Sequence, residues 1–290
     1  MTQQYRIVFQ GEPGANSHIA VREAFPGAEA VPLPTFEDCF AAIEHGTADY
    51  AMIPIENSVA GRVADIHALL PASKVHFVGE FFLPVHHQLL VLPGVSRDEV
   101  RTVHSHVQAL GQCRRRLREM GLSPVVAADT AGAAREVAAS KDRSKAAIAS
   151  RLAAEIYGLD IMVSDLEDES HNTTRFVVLA AEPEAVPQGE PVMTSLLFRV
   201  HNVPASLYKA MGGFATNGVN MVKLESYQLG GRFYATMFSA DIEGHPDDIN
   251  VRRALEELRF HSAELRILGT YRASAFRDSL RELPEPVERA

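Results

Sequence analysis

Short apolar runs alternate with stretches of helical period through the first half of the chain. Residues 5–9 read as a strand ending at Gly11-Glu12-Pro13-Gly14, and Asn16 and Ser17 are placed to cap a helix reaching Phe25. Thr35 can cap a second helix through Glu44, stopped by Gly46. Residues 49–55 read as a strand closing on Glu56-Asn57-Ser58. The apolar stretch 75–92 breaks at Pro84 and predicts two strands or one bent strand. Val103 leads into Ser105 and a helix from His106 to Met120. A strand at 124–127, a helix from Asp129 or Thr130 to Ser140, a strand at 146–149, a helix at 151–157 and a strand at 175–179 complete the series. Such alternation predicts α/β units on mostly parallel sheet, with the chemistry in loops after strand ends.

A Pro-rich polar stretch at 183–192 predicts a linker. Beyond it the pattern restarts as a strand at 194–200, a helix from Pro204 to Thr216, strands at 219–228 and 232–241 turning at Gly230-Gly231, a helix at 246–260 and a strand at 263–268. The order βαββαβ is that of a small ferredoxin-like α+β domain over 193–272. The remainder, 273–290, reads as a frayed polar tail.

Composition narrows the function. With 46% hydrophobic and 22% charged residues the 290-residue chain is globular rather than disordered. Lys and Arg number 28 against 37 Asp and Glu, a net charge of −9, which argues against a basic nucleic-acid face. A locally positive pocket for an anionic substrate stays compatible with that balance. The two cysteines, Cys39 and Cys113, rule out a disulfide scaffold and suit buried positions in a reducing compartment. No leader pattern and no long apolar span is visible, so a cytoplasmic protein with no membrane or nucleic-acid partner is expected.

Four segments carry candidate chemistry. The loop from Gly11 to His18 joins strand to helix; its spacing suits an anion site on free backbone N–H groups and a plain capped turn about equally. It is neither a phosphate-binding Walker loop nor a dinucleotide fingerprint. Glu56, Asn57 and Ser58 follow an apolar strand and can line a polar pocket, while a helix cap accounts for only one of them. Ser105-His106-Val107-Gln108 again follows a strand and opens a helix. Neither His104 with His106 nor the adjacent His86 and His87 has a metal-site spacing, and His86 and His87 on a strand would face opposite ways, one in the core and one at the surface. Asn172-Thr173-Thr174-Arg175-Phe176 opens the last strand of the first half, where a hydroxyl and a guanidinium could meet a carboxylate substrate; composition alone favours a plain strand residue and a surface arginine there.

Taken in order, these segments resemble the prephenate dehydratase family, including its arogenate dehydratase branch. The matching stretches are Gly11 to Ser17, Pro54 to Ser58, Leu83 to His87, Ser105 to Leu110, Asp129 to Ala134, Ala146 to Ser150 and Asn172 to Phe176. The second domain resembles an ACT amino-acid sensor. The resemblance implies a two-lobed α/β catalytic domain over 1–182, like type II periplasmic binding proteins, with lobes of about 1–80 plus 171–182 and about 81–170. It implies conversion of prephenate to phenylpyruvate, water and carbon dioxide without cofactor or metal, with Thr174 as the catalytic residue. Arg175 and the amides of Ala15, Asn16 and Ser17 are then expected to take the side-chain carboxylate, and Asn57, Ser58 and Ser105 the ring carboxylate. Glu56 or His106 is the expected proton source behind Thr174, and Gln108, Asn172, Thr173 and Phe176 complete the expected substrate site. The ACT resemblance implies L-phenylalanine as effector at Ala205, Ser206, Leu207, Asn217, Asn220, Glu225 and Ser226, and a homodimer or homotetramer through that domain. The family's Gly-Ala-Leu reads Ala205-Ser206-Leu207, its Glu-Ser-Arg-Pro reads Glu225-Ser226-Tyr227-Gln228, and its Ser-His-Pro-Gln reads Ser105-His106-Val107-Gln108. Two other readings stand beside this one: an arogenate dehydratase, and a two-lobed sensor without catalysis.

Overall fold

The computed structural model describes residues 4–169, 171–186, 189–229 and 232–281. By its internal contacts the chain divides into two units, Met1–Ile66 with Phe81–Phe176, and His67–Glu80 with Val177–Ala290. The elements begin β1 (Arg6–Gln10), α1 (Asn16–Ala24), β2 (Glu29–Leu33), α2 (Phe36–Glu44), β3 (Tyr50–Asn57), β4 (Gly61–Arg62), α3 (Ala64–Leu69) and β5 (His76–Pro84). Next come β6 (Gln88–Val91), β7 (Thr102–Ser105), α4 (Val107–Gln112), α5 (Arg114–Glu119), β8 (Ser123–Val126), α6 (Thr130–Ser140), β9 (Lys145–Ala149), α7 (Arg151–Tyr157), β10 (Asp160–Val163) and β11 (Thr173–Ala180).

These strands form two sheets, ordered β2-β1-β3-β11-β5 with β4 on β3, and β10-β6-β9-β7-β8. Both sheets combine parallel with antiparallel pairs. β1 runs parallel to β2 and β3, but β3 is antiparallel to β4. β7 runs parallel to β8 and β9, whereas β6 is antiparallel to β9 and β10. In the second sheet both antiparallel pairs involve β6, the strand by which the chain enters that sheet after β5, whereas β3 and β4 are consecutive strands turning back within one sheet. β6 and β9 are apolar on both faces because both faces are covered: Leu89, Val91, Ala146 and Ile148 pack to one side, Leu90, Ala147 and Ala149 to the other.

Local chemistry explains the helix boundaries. Thr35, Asp129 and Ser150 cap α2, α6 and α7 by accepting from the amides of Asp38, Gly132 and Ala153. The single helix expected from His106 to Met120 is instead α4 and α5, broken at Cys113. Asp168 supplies the cause: its carboxylate accepts from the amides of Arg115 (2.8 Å) and Arg116 (3.2 Å) and caps a helix that starts afresh. Both cysteines are buried free thiols, and burial pushes Cys39 up to about 12 and Cys113 upward as well, so neither is a nucleophile near neutral pH.

The second unit contains β12 (Val192–Val200), α8 (Ser206–Thr216), β13 (Met221–Leu229), β14 (Arg232–Glu243), α9 (Ile249–His261), β15 (Ser262–Arg272) and α10 (Phe276–Arg281). Its sheet has the order β13-β14-β12-β15, and β12–β14, β12–β15 and β13–β14 are antiparallel. α8 and α9 bury Ala210, Phe214, Ala254 and Leu258 against Leu196 and Phe198 of this sheet. A Cβ on Gly213 would lie 2.8 Å from Glu257 Cβ, so glycine permits the close approach of the two helices. The expected turn at Gly230-Gly231, the linker residues Pro187 and Gln188, and residues 282–290 lie outside the described residues. The expected polar tail starts as a helix. Arg277 on α10 grips Glu80, whose side chain is fully buried, through Nε–Oε1 (2.6 Å) and Nη2–Oε2 (2.7 Å). Among the described residues no helix is long and apolar enough to cross a membrane.

Pro204 does not open α8; the helix begins at Ser206, after Ala205 in the left-handed region at φ +62°. A Cβ is strained there, and the glycine that the family pattern carries at this place would not be. Ala205→Gly is expected to raise unfolding stability by about 1 kcal/mol. A denaturation midpoint unchanged or lowered in that variant would contradict the strain.

Candidate active site

Five backbone ends converge on one cleft of the first unit. The end of β1 contributes Gln10 and Gly11, the start of α1 Ala15, Asn16 and Ser17, and β3 Pro54 and Asn57. The start of α4 contributes His106 and Gln108, and β11 Thr174 and Phe176. The cleft measures about 610 Å³, of the size that encloses a small organic ligand.

The loop from Gly11 to His18 is both a tight turn and an open helix start. Gly14 has φ +92°, and a Cβ there would come 2.8 Å from Ala153 Cα. Ser150 Oγ donates to Gly14 O (2.5 Å) and Tyr157 OH to Pro13 O (2.8 Å), clasping the turn against α7. Gly14 N donates to His18 Nδ1 (3.1 Å), and the His18 ring stacks on Phe9. Asn16 and Ser17 do not cap α1 as expected. Asn16 is its first helical residue, and Ala15 at the cap position offers no side-chain acceptor. The first-turn amides of α1 are therefore left for a ligand.

Hydrogen-bond polarity around Thr174 is dictated by two backbone amides. Val59 N (3.0 Å) and Ala60 N (2.8 Å) can only donate, so the Asn57 atom they meet is Oδ1. Asn57 Nδ2 then faces Asn172 Oδ1 (2.8 Å) and Thr174 Oγ1 (3.0 Å). Because Thr174 Oγ1 accepts from Asn57, its own O–H is left to donate toward the cleft that Thr174 lines. The polarity propagates outward. Asn172 Nδ2 donates to Gln112 Oε1 (3.0 Å), and the same oxygen meets His87 Nε2 (2.6 Å), which must carry the hydrogen. Burial lowers the pKa of His87, more than the Gln112 bond and the Glu167 charge raise it.

His18 and His104 are lowered too, chiefly by burial. All three titrate below the unfolded value of 6.5, so the folded chain binds fewer protons than the unfolded chain as the medium is acidified. Their contribution is complete above about pH 6.5 and is lost as pH falls below it. Thermal midpoints should be level from about pH 8 to 7 and decline between about pH 6.5 and 5; a rise over that acid interval would contradict this.

Of the residues expected at the site, Ala15, Asn16, Ser17, Asn57, His106, Gln108, Asn172, Thr174 and Phe176 line the cleft. Glu56, Ser58, Ser105, Thr173 and Arg175 do not. Strand pleating explains the central correction. Thr174 and Phe176 share one face of β11, and Arg175 projects from the other. There Arg175, 4% exposed, binds Glu56 Oε1 at 2.8 Å, with its guanidinium 6.0 Å from the Phe82 ring centroid. On β3 Glu56 is the neighbour of Asn57, and the same alternation turns it to the opposite face from that cleft residue. Arg175 is thus not at hand for a substrate carboxylate, nor Glu56 as a proton source. Ser105 is fully buried and donates to Ile148 O (2.7 Å), a bond that ties β7 to β9. Ser58 Oγ donates to His171 O (2.6 Å) and accepts from Thr173 N (2.9 Å), so it braces the Thr173 backbone.

Sequence reasoning missed Arg62, Gln112 and His87, all of which line the cleft. Gln112 lies four residues after Gln108 on the same helical face, a legible signal. Arg62 sits on the two-residue strand β4, which no periodicity announces.

The expected effector residues separate. Ala205, Ser206 and Leu207 line a cavity of about 590 Å³ in the second unit. Asn217 instead closes α8, donating to Gly213 O (2.8 Å) and Glu257 Oε1 (3.3 Å). Glu225 faces the buried His67 at 3.0 Å and Lys223 at 3.9 Å. Asn220 offers its backbone O to Glu243 N, and Ser226 lies on β13; neither lines that cavity.

Two mixed sheets sharing a polar cleft, followed by an antiparallel sheet with two helices, define a two-lobed α/β protein with a ferredoxin-like, ACT-like unit. Residues 7–184 match the family described as prephenate dehydratase. The chain belongs to that family, and its activity is that of a prephenate/arogenate dehydratase, a hydro-lyase. It is 50% identical over 272 residues to a bifunctional N-acyl-homoserine lactone acylase/prephenate dehydratase of Komagataeibacter europaeus, covering 93% of this chain and 97% of that one. It is 39% identical over 280 residues to an arogenate dehydratase/prephenate dehydratase of Arabidopsis thaliana, covering 92% of this chain and 71% of the relative. Among solved structures, prephenate dehydratase of Arthrobacter aurescens in complex with L-Phe superposes with a TM-score of 0.84 at 28% identity, covering 92% of this chain and 90% of the other.

Proposed function

We propose that the cleft binds prephenate and that Thr174 donates its hydroxyl proton to the departing ring hydroxyl while carbon dioxide leaves and the ring becomes aromatic. The observation that carries this reading is the acceptance by Thr174 Oγ1 of a hydrogen bond from Asn57, which leaves the threonine O–H facing the cleft. Asn57 also draws electron density from that oxygen, so the O–H is a better donor than a free alcohol. His106, which lines the same cleft, is the candidate to return the proton.

The dianion is held mainly by dipoles and one cation. The free amides at the start of α1 suit one carboxylate, and Arg62 replaces Arg175 as its charged partner. Neutral Asn57 and Gln108 suit the ring carboxylate, because an ion pair there would stabilise the ground state more than a transition state that is losing that charge. Arg62→Gln should raise KM about tenfold with kcat nearly kept, the effect of one charge-assisted contact. An unchanged KM would remove Arg62 from the binding role.

The test of the function is direct: the purified chain should produce phenylpyruvate absorbance from prephenate, and a parallel assay on arogenate ranks the two substrates. Absence of both products would refute the reading and favour a sensor. The bifunctional character of the 50% identical Komagataeibacter relative supports a second activity, hydrolysis of N-acyl-homoserine lactones, measurable as release of free homoserine lactone.

The proposed organisation is a catalytic domain over 1–182, with lobes of about 1–80 plus 171–182 and about 81–170, a linker at 183–192 and an ACT domain over 193–272. L-Phenylalanine is the proposed effector, supported by the L-Phe complex of the Arthrobacter relative, in a homodimer or homotetramer of a cytoplasmic enzyme.

A further inference from the structure

His86 directly precedes His87 yet takes no part in the network that reaches Thr174. It lies on the crossover from β5 to β6, and the crossover from β10 to β11 runs beside it, tied by Leu166 N to His87 O at 2.7 Å. His86 Nδ1 is 2.9 Å from Glu167 Oε1 and 3.6 Å from Asp165 Oδ1, and all three ligand atoms lie within 4.8 Å of one another. Donors that share one ion at about 2.1 Å and meet at right angles stand about 3.0 Å apart, the spacing of His86 and Glu167, and a small rotation of the exposed Asp165 side chain brings its carboxylate to the same range.

Two further features show a built site rather than loose surface charge. Glu167, with a side chain only 7% exposed, has its Oε2 held by His87 N at 2.8 Å, which aims Oε1 at His86. Gln88 is 2% exposed, and its Nε2 donates to Asp165 Oδ1 at 3.2 Å. Its Oε1 is buried and meets no hydrogen-bond partner among the described residues. A buried acceptor left in that state is costly. Turning the amide by half a rotation sets the oxygen beside Asp165, at the distance of a neighbouring ligand.

We propose that His86, Asp165 and Glu167, with the amide oxygen of Gln88 as a neutral fourth donor, bind a divalent first-row cation of the Zn²⁺ or Mn²⁺ kind. One imidazole with two carboxylates suits such ions better than Mg²⁺ or Ca²⁺, which prefer oxygen alone, and better than Cu⁺, which prefers sulfur. Two carboxylates against one imidazole leave a local negative charge for the cation to offset. The ion does no chemistry on the substrate. It pins one crossover to the other.

The full chain, stripped of metal with a chelator and dialysed, should bind one equivalent of Zn²⁺ or Mn²⁺ by titration calorimetry, with Mn²⁺ binding also read by electron paramagnetic resonance. His86→Ala and Asp165→Asn should each weaken binding at least about tenfold. Both side chains are more than half exposed, so the variants should keep the wild-type thermal midpoint without metal. His245→Ala, which alters another exposed histidine beside an aspartate, should leave the affinity unchanged. Lack of saturable binding by the wild type, or binding that survives in His86→Ala and Asp165→Asn, overturns the proposal.

Discussion

Thr174→Val is expected to lower kcat by about 10²–10³ while the substrate Kd stays within a few-fold of wild type. Valine keeps the β-branched shape that β11 accommodates, so the change removes one oxygen and little else. In the wild type that oxygen receives Asn57 Nδ2 at 3.0 Å, and its hydrogen is left for the cleft. The leaving hydroxyl carries its charge only in the transition state, so loss of its donor appears in kcat and not in binding. The magnitude corresponds to ~3–4 kcal/mol, typical of one preorganised donor in an acyl- or hydroxyl-transfer site. Stopped-assay rates together with calorimetric binding of the substrate or a stable analogue separate the two parameters. A loss confined to Kd would move Thr174 from chemistry to binding.

The second large effect concerns stability rather than rate. Glu56→Ala is expected to destabilise the chain by about 3 kcal/mol, because Arg175 at 4% exposure then loses the carboxylate that it holds at 2.8 Å. The figure sits at the low end for broken buried pairs because the Glu56 side chain is 31% exposed and water can reach part of the gap. The thermal midpoint should fall by about 6–12 °C for a chain of this size. Activity per folded molecule should change little. A large rise in KM at an unchanged midpoint would return Glu56 and Arg175 to the substrate site.

The Arg175–Glu56 pair and the Thr174 site occupy opposite faces of the same strands. Thr174 and Arg175 are adjacent, and adjacency suggested joint service to one ligand. On a strand adjacency means opposite faces, and the period of two already separates Thr174 and Phe176 from Arg175, and Asn57 from Glu56. Ser105 failed differently. A small hydroxyl at a strand end satisfies a neighbouring backbone carbonyl as readily as it serves a ligand, and only tertiary packing shows that Ile148 O takes it.

Much of the fold was legible from capping and hydropathy. Thr35, Asp129 and Ser150 stand where helices start, and the break at Pro84 separates β5 from β6. The missed elements had no local signal of their own. β2 contains Pro32 at the end of its sheet, a position where a strand can forgo one amide donor. β10 is four residues long, at the end of the other sheet. The break at Cys113 depends on Asp168, and the helical start of the expected tail on Glu80, both remote in sequence. Ala205 was visible only as a departure from a family glycine; its positive φ turns that departure into a strained cap at α8.

Single-turnover dehydration by Thr174→Ser, measured with prephenate already bound, tests the donor role most directly. Serine keeps the oxygen and its proton while dropping only a methyl group, so the rate should remain within about tenfold of wild type and far above that of the valine variant. A serine variant as slow as valine would show that the side chain works through its shape, and hydroxyl donation at this position would have to be abandoned.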